Sequence, residues 1–378
     1  MLTRKDLKNI DFLLLAAVGI IVAMSLVVLS SAAAGLADDP FYYTERQALW
    51  AGIGLGLVII TLIFDYKTLA RMAPYLYLVN LALLGSVLLV GTAAKGAQRW
   101  IDLGPFAFQP SEFSKLLLIV TLAYFLARRQ GRLNRLRDFL PVFLFVVPSV
   151  LLVFRQPDLG TAMVLVVIMV GMLFLAGANI AVLGSMVGAV FLALVLVLVG
   201  HFHWGLPLPL EEYQVQRLVV FLDPYADGMG GRGAGYHIIQ SEVAVGSGYL
   251  WGKGLGNGSQ SQLEFLPEPH TDFIFSVVGE ELGFFRSAFL LAMYLIVIWR
   301  CLEAARKARD DYGALLAGGV AAMFLFHVLV NVGMTIGLMP ITGIPLPLFS
   351  YGGSSMLSNL LALGLVLNVR VRSLRTMF

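Results

Sequence analysis

Ten long apolar runs dominate the sequence and decide the class of protein. A helix needs about 20 apolar residues to cross roughly 30 Å of hydrocarbon, and only 13% of the 378 residues are charged, against about 25% in soluble domains. The runs predict an all-α polytopic membrane protein that forms a single membrane domain over residues 1–378. They lie at about 12–32, 46–64, 74–92, 111–127, 139–154, 160–177, 180–200, 273–299, 314–338 and 351–369. The first run is long enough to span, so we interpret it as a retained helix and not as a cleaved signal peptide.

The distribution of Lys and Arg predicts how the chain is oriented. Ten spans place both termini on one side of the membrane, and 17 of the 26 basic residues fall on that side, against 7 on the other. Five of the 17 are arginines of one connection, ARRQGRLNRLRD at 127–138. The positive-inside rule therefore puts both termini in the cytoplasm. The basic connections are expected to set this topology and to contact anionic membrane lipid.

One connection differs from the others in length and composition. Residues 201–272 form an outer loop of about 70 residues that is rich in aromatic residues and glycine. Its two glycine-rich stretches, GMGGRGAG and GSGYLWGKGLGNGSQSQ, neither follow a strand nor open a helix, so they are not nucleotide fingerprints. Loops of this length are usually functional or disordered, and the aromatic content argues against disorder. We expect a lid or platform over the membrane helices.

The motifs that are missing from the sequence restrict its chemistry. There is one cysteine, and P-loop, HExxH and GxSxG motifs are lacking. The HFH stretch at 201–203 offers two imidazoles, which make a weak metal site. No cofactor is therefore assigned, although a divalent ion could assist, and nothing indicates a nucleic-acid partner. A reaction on the outer face would need a substrate that arrives already activated.

Polar groups gather where several predicted spans reach the outer face. The stretch LPEPHTDFIF places Asp272 directly before an apolar run, although charges beside a bilayer are costly. A group with both signs at this depth indicates a functional site. It comprises Asp272, Arg99, Trp100, Glu112, Lys115, Arg155 and Asp158. If the eighth helix starts at Asp272, then Asp272, Ser276 and Glu280 share one helical face, with Glu280 about 12 Å deeper.

Each of these residues also has a structural interpretation. Asp272 could cap the eighth helix, where an anion is favoured by the helix dipole. Lys115 and Asp158 could form an ion pair between the fourth and sixth helices. Trp100 could anchor the chain at the interface or stack on a sugar. Within the spans, hydrogen bonds between helices are expected from Asn331, Asn359 and His327.

A set of longer motifs resembles a known family. GAQRWIDLG, FQPSEFSK, RQPDLGTA, RLVVFLDPYAD, GNGSQSQLEFLPEPHTDFIFSVVGEELG and GIPLPLFSYGGSS occur in this order between about residues 95 and 355. Together with the ten apolar runs, they are similar to the SEDS proteins (shape, elongation, division, sporulation). Within that family the chain looks most like the RodA subfamily, which acts in cell elongation.

The resemblance implies a peptidoglycan glycosyltransferase, that is, a hexosyltransferase that polymerises lipid II at the outer face of the cytoplasmic membrane. It also implies a class B penicillin-binding protein and other elongation-complex proteins as partners. The essential aspartate of the family's HTDF motif corresponds here to Asp272. We expect Asp272 to deprotonate the acceptor 4-hydroxyl, which attacks and inverts the donor anomeric carbon, while Arg217, with Arg99 and Lys115 as further cations, binds the pyrophosphate. The alternatives are a lipid II flippase and a non-enzymatic scaffold of the cell-wall synthesis complex.

Overall fold

The structure, a computed structural model, describes most of the chain. The described residues are 9–36, 38–94, 97–102, 104, 107–205, 212–226, 229–233, 235–263 and 265–373. Of the basic residues counted for orientation, Arg4, Lys5, Lys8, Lys95 and Arg375 lie outside these ranges, as do parts of the 201–272 connection.

The prediction of a helical, polytopic membrane protein is confirmed. Nine helices in the described ranges are long and apolar enough to cross a membrane, and a tenth apolar helix has 17 residues. The spanning helices are α1 (Phe12–Ala32), α2 (Tyr42–Ile63), α3 (Tyr66–Val90), α4 (Pro110–Ala127), α5 (Leu136–Phe154), α6 (Leu159–Leu175), α7 (Ile180–Trp204), α11 (Ile274–Val277) with α12 (Gly283–Arg306), α13 (Asp311–Thr335) and α14 (Gly353–Ser373). The helices α11 and α12 form one span because a π-helical turn, Val278–Leu282, joins them.

The helix bounds differ from the apolar runs where capping decides the start of a helix. The third run begins at about residue 74, but α3 begins at Tyr66 because Asp65 is its N-cap and accepts a hydrogen bond from the Lys67 amide at 2.9 Å. The ninth helix likewise begins at Asp311, and the Asp310 side chain accepts from the Gly313 amide at 2.8 Å. Capping side chains satisfy free amides of the first turn, so a helix can extend beyond its apolar core.

Smaller elements lie at the end of the bundle where Asp272 is found. Three short antiparallel strands, β1 (Thr92–Ala94), β2 (Ala97–Asp102) and β3 (Ala107–Phe108), connect α3 to α4. The 201–272 connection holds α8 (Glu212–Leu222), α9 (Tyr236–Ser247) and α10 (Ser259–Gln262). The helix α9 packs against α11, the π turn and α13, and buries Ile238, Ser241 and Ala244. This connection is therefore anchored on the spanning helices.

The interior of the bundle is formed by α4, α13 and α14, in which most residues are buried. The helix α7 buries few residues and lies at the margin. Because successive spanning helices alternate in direction, the start of α4, the turn between α5 and α6, the start of α11 and the connection between α13 and α14 meet at one end. The polar motifs of the sequence occupy these connections.

Candidate active site

Asp272 lies in a turn whose backbone is held by three hydrogen bonds. The carbonyl oxygen of Asp272 accepts from Asn331 Nδ2 at 3.0 Å, that of Thr271 accepts from Ser350 Oγ at 2.7 Å, and that of His270 accepts from the Tyr351 amide at 2.9 Å. Two of these donors belong to the connection between α13 and α14, and the third belongs to α13. The half-buried Asp272 side chain therefore projects from a fixed backbone.

The eighth spanning helix begins after Asp272, which changes two sequence expectations. Its first segment, α11, begins at Ile274, and its N-cap position is Phe273 and not Asp272. The predicted common face of Asp272, Ser276 and Glu280 is also wrong, because Asp272 precedes the helix and a π-helical turn begins at Val278. A π turn holds more residues than an α turn, so a spacing of four no longer defines one face.

The Asp272 carboxylate and the Arg217 guanidinium both lie close to Gly343. A methyl group at Gly343 would lie 3.4 Å from Oδ2 of Asp272 and 3.8 Å from Nη1 of Arg217. Gly343 has a φ of +72°, a conformation that favours glycine. The carboxylate and the guanidinium thus share one contact point, although they come from distant parts of the sequence.

Arg217 is placed by α8, above the turn between α5 and α6. Its guanidinium carbon lies 5.5 Å from the centre of the Tyr213 ring, and the Tyr213 hydroxyl donates to the Pro157 carbonyl at 3.0 Å. Burial lowers the pKa of Arg217, while the neighbouring carboxylate of Asp272 raises it. The guanidinium remains charged at any ordinary pH, so it supplies a partly desolvated positive charge next to Asp272.

Arg99 and Asp158 form a second polar pair close by. Nη1 of Arg99 lies 3.8 Å from Oδ1 of Asp158, and Nε donates to the Gln156 carbonyl at 3.3 Å. Asp158 is also the N-cap of α6, where it accepts from the amide and hydroxyl of Thr161 at 3.1 and 2.9 Å. Trp100 follows Arg99 on β2 and is half-buried. Electrostatic interactions connect Arg99 and Asp158 to Arg217.

The predicted ion pair between Lys115 and Asp158 is wrong, because Lys115 pairs with Glu112. Nζ of Lys115 lies 2.8 Å from Oε1 of Glu112, one turn earlier on α4, and 3.4 Å from Nε2 of His327 on α13. All three side chains are buried. Lys115 reaches its neighbour on the same helix because residues three apart share a face, whereas Asp158 is bound by Arg99 and Thr161.

The Lys115 group is connected to Asp272 through α13. His327 precedes Asn331 by four residues, about 6 Å along the helix, and Asn331 donates to the carbonyls of both Asp272 and Ile344, the latter at 2.8 Å. The expected contact between helices is found for His327. Asn331 instead bonds two connections, and Asn359 bonds Ser355 of its own helix.

Glu280 belongs to a different structure from Asp272. Its side chain is fully buried, and Oε1 lies 2.7 Å from Nζ of Lys253 and accepts from the amide of Gln260 at 3.0 Å. The amides of Lys253 and Gly254 donate to the carbonyls of Glu280 and Glu281, both at 3.0 Å. Glu280 therefore joins the 201–272 connection to the π turn, which argues against a place for it among the substrate contacts.

Sequence reasoning missed Gly343, Tyr213 and Lys253 as neighbours of the predicted residues. Gly343 begins a motif that the sequence analysis already singled out, GIPLPLFSYGGSS, whereas the contacts of Tyr213 and Lys253 are made across the fold. In the described part of the chain, no group of three or more His, Cys, Asp or Glu side chains is arranged to hold a metal ion.

Comparisons with known proteins show the family of this chain. The family profile of FtsW, RodA and SpoVE, described as "Cell cycle protein", matches residues 6–374. The chain belongs to this family. FtsW, RodA and SpoVE are together called the SEDS proteins, so the match confirms the predicted family.

Two relatives match this chain over most of their own length. The chain is 39% identical to stage V sporulation protein E of Bacillus subtilis, over 95% of this chain and 96% of that protein. It is 40% identical to the peptidoglycan glycosyltransferase MrdB of Escherichia coli K12, over 86% and 85% of the two chains.

Two solved structures share the fold. One, described as "Structural coordination of polymerization and crosslinking by a peptidoglycan synthase complex", has a TM-score of 0.79 and 34% identity over 97% of this chain and 99% of that one. The rod shape determining protein RodA of Thermus thermophilus has a TM-score of 0.69 and 33% identity over 96% of both chains. The similarity to RodA is consistent with the predicted subfamily.

Proposed function

We propose that this chain is a peptidoglycan glycosyltransferase that polymerises lipid II into glycan strands during cell elongation. The observation that carries the proposal is the position of the Asp272 carboxylate beside the Arg217 guanidinium, next to Gly343. A base and a cation at one point are the two groups that this reaction requires. The names of relatives such as the peptidoglycan glycosyltransferase MrdB support the same activity.

The reaction joins an acceptor sugar to a donor sugar that carries a lipid pyrophosphate. Asp272 accepts the proton of the acceptor 4-hydroxyl while its oxygen bonds to the donor anomeric carbon. The bond from that carbon to the pyrophosphate oxygen breaks, and the anomeric configuration inverts. Pyrophosphate leaves without protonation, so one carboxylate is enough, whereas a glycosidase uses two. Positioned general bases contribute about 10²- to 10⁴-fold to such steps.

The leaving pyrophosphate gains negative charge, which a nearby cation stabilises. Arg217 is the first choice because its guanidinium lies beside Asp272 and is partly desolvated, which strengthens its electrostatic effect. Arg99 adds positive charge but is engaged by Asp158. Lys115 and Glu112 bind each other inside the bundle, so we assign them to shaping the deeper side of the site. Trp100, half-buried beside Arg99 on β2, is the residue that we propose to stack on a sugar ring.

The setting of the reaction follows from the topology and the family. We place the site at the outer face of the cytoplasmic membrane and both termini in the cytoplasm, because the basic residues are concentrated at the opposite end. Lipid II would be held with its head group at Asp272 and its prenyl chain among the helices. We propose a class B penicillin-binding protein as the partner, and the similar structure described as a peptidoglycan synthase complex supports such an assembly.

The decisive experiment follows glycan-strand formation from purified lipid II. The full chain is co-purified with its class B partner, and the wild type is compared with Asp272→Asn and with Asp223→Asn. Asp223 is a matched control: it is exposed and lies in the same 201–272 connection. We expect polymer from the wild type and from Asp223→Asn, and none from Asp272→Asn, with all three proteins equally folded.

Other outcomes would lead to other conclusions. Polymer from Asp272→Asn would refute Asp272 as the base and direct attention to Glu112. A complete lack of polymer, under conditions in which another SEDS synthase is active, would favour the flippase or the scaffold. A transport assay with labelled lipid II in vesicles then distinguishes them, because a flippase moves lipid II across the membrane and a scaffold does not.

A further inference from the structure

A pocket of about 520 Å³ lies between the end of α4 and the start of α5, at the opposite end of the bundle from Asp272. Its lining consists of Arg128, Arg129, Arg132, Arg137, Asp138 and Pro141. Four arginines and a single carboxylate thus line the pocket. That carboxylate is already engaged, because Oδ2 of Asp138 accepts from the backbone amides of Asn134 and Arg135 at 3.2 and 2.8 Å.

The four arginines of the pocket can bind an anionic ligand through their positive charges. The ion pairs found in the described ranges engage other basic residues and none of these four. Two of them are held in place by aromatic rings of α4: the guanidinium of Arg128 lies 4.2 Å from the Tyr124 ring centre, and that of Arg129 lies 3.8 Å from the Phe125 ring centre. Such contacts limit the freedom of the side chains and lower the cost of ordering them around an anion.

An apolar strip continues from the pocket along α5. Leu136, Leu140 and Leu144 are 64%, 58% and 66% exposed in the isolated chain. They are spaced four residues apart, so they lie on neighbouring turns of one side of the helix and cover about 12 Å of its length. Leu136 and Leu140 directly precede the lining residues Arg137 and Pro141, so the basic pocket borders a surface suited to hydrocarbon.

We propose that this pocket binds the phosphate head group of an anionic glycerophospholipid, whose acyl chains lie along Leu136, Leu140 and Leu144. The planar fork of an arginine matches phosphate oxygens, and the first turn of α5 adds the positive end of its dipole. A water-soluble phosphate compound would use the arginines but not the leucines, so the combination selects a lipid. The general attraction of basic loops to an anionic leaflet needs no defined site, and this is the distinction to be tested.

The test counts bound lipids on the full chain by native mass spectrometry. The protein in neutral detergent is titrated with phosphatidylglycerol, and the wild type is compared with the double variant Arg132→Gln/Arg137→Gln. The control is Arg306→Gln/Arg309→Gln, which removes two exposed arginines from the same end of the bundle but outside the pocket. Each arginine near an anionic surface is worth roughly 5-fold in affinity, so the pocket variant should bind its lipid roughly 30-fold more weakly.

The outcomes separate a site from general attraction. We expect the control to retain one tightly bound phosphatidylglycerol like the wild type, and the pocket variant to lose it. The proposal is overturned if both variants lose equal affinity, or if neither does. It is also overturned if millimolar inorganic phosphate or glycerol phosphate displaces the lipid, since the acyl chains would then contribute nothing. Equal melting temperatures in phosphatidylcholine nanodiscs show that the variants are folded.

Discussion

Oδ2 of Asp272 and Nη1 of Arg217 both lie close to the backbone of Gly343. A methyl group at Gly343 would be 3.4 Å from Oδ2 of Asp272 and 3.8 Å from Nη1 of Arg217. The proposed base comes from the turn before α11, and the proposed cation comes from α8 in the 201–272 connection. Gly343 belongs to a third segment, between α13 and α14. The geometry of the site therefore depends on how three connections pack at one end of the bundle.

Substitution of Gly343 by alanine should disturb the reaction more than the fold. At a φ of +72° an alanine costs roughly 1–2 kcal/mol, and its methyl group would be in van der Waals contact with the Asp272 carboxylate. A backbone shift that relieves the strain would therefore displace that carboxylate. A displacement of about 1 Å at a reacting group can lower the rate about 100-fold. We expect a large loss in the rate of glycan-strand formation.

The control for this variant is Gly131→Ala. Gly131 also has a φ of +72°, but a methyl group there would meet nothing within 4 Å. Both variants should lose similar thermal stability, and Gly131→Ala should keep its polymerase rate. Equal rates for the two variants would show that the contact at Gly343 has no role in catalysis.

Replacing Arg217 by glutamine should slow the chemical step. Loss of one group that stabilises developing charge typically costs about 10²- to 10³-fold in kcat. Arg217→Lys keeps the positive charge but lacks the planar guanidinium, so its kcat should lie between those of the wild type and Arg217→Gln. Steady-state kinetics with lipid II measure kcat and KM. The control is Arg232→Gln, which replaces an exposed arginine of the same 201–272 connection and should behave like the wild type. An unchanged kcat in Arg217→Gln would exclude the proposed role.

The Lys253–Glu280 pair should contribute to stability. Glu280 is fully buried, and removing the only cation found to pair with it in the described structure leaves a buried charge. We expect Lys253→Ala to cost about 3 kcal/mol in the free energy of unfolding. Lys307→Ala, which removes half of a more exposed pair with Glu303, should cost less than about 1 kcal/mol.

A double variant tests the cause of that loss. In Lys253→Ala/Glu280→Gln the buried charge is gone, so part of the stability should return. Thermal unfolding in one detergent allows all of these variants to be compared. Equal destabilisation by the lysine variant and by the double variant would mean that the unpaired carboxylate is not responsible.

His237 should make stability depend on pH. Burial lowers its pKa from 6.5, the Arg217 guanidinium lowers it further, and Glu268 opposes these effects. The folded protein thus favours the neutral imidazole, and the unfolded chain binds a proton more readily. This contribution to stability is complete above about pH 6.5 and is lost as the pH falls through the lower pKa of the folded state.

The measurement is the melting temperature between about pH 7.5 and 5. We expect the wild type to lose more stability on acidification than His237→Gln, whose side chain does not titrate. Parallel curves for the two proteins would show that His237 has the same pKa in the folded and unfolded states.

The sequence by itself determined the membrane class, the set of spanning helices and the aspartate motif. These properties are local: twenty apolar residues must form a helix in lipid because each backbone polar group has to be satisfied within the segment. The caps formed by Asp65 and Asp158 are also local, because each side chain binds an amide of the first turn of its own helix, but the apolar runs did not reveal them. The family follows from motifs that remain recognisable in linear order.

Only the tertiary structure decided which polar side chains meet. Lys115 pairs with Glu112 because Asp158 is engaged by Arg99 and Thr161. Glu280 leaves the face expected for it because the amides of Lys253 and Gly254 bind carbonyls of a π turn. Arg217 reaches Asp272 through packing of segments more than 50 residues apart. Such contacts depend on the competition among all partners within reach in three dimensions, and helical spacing along one segment does not contain that information.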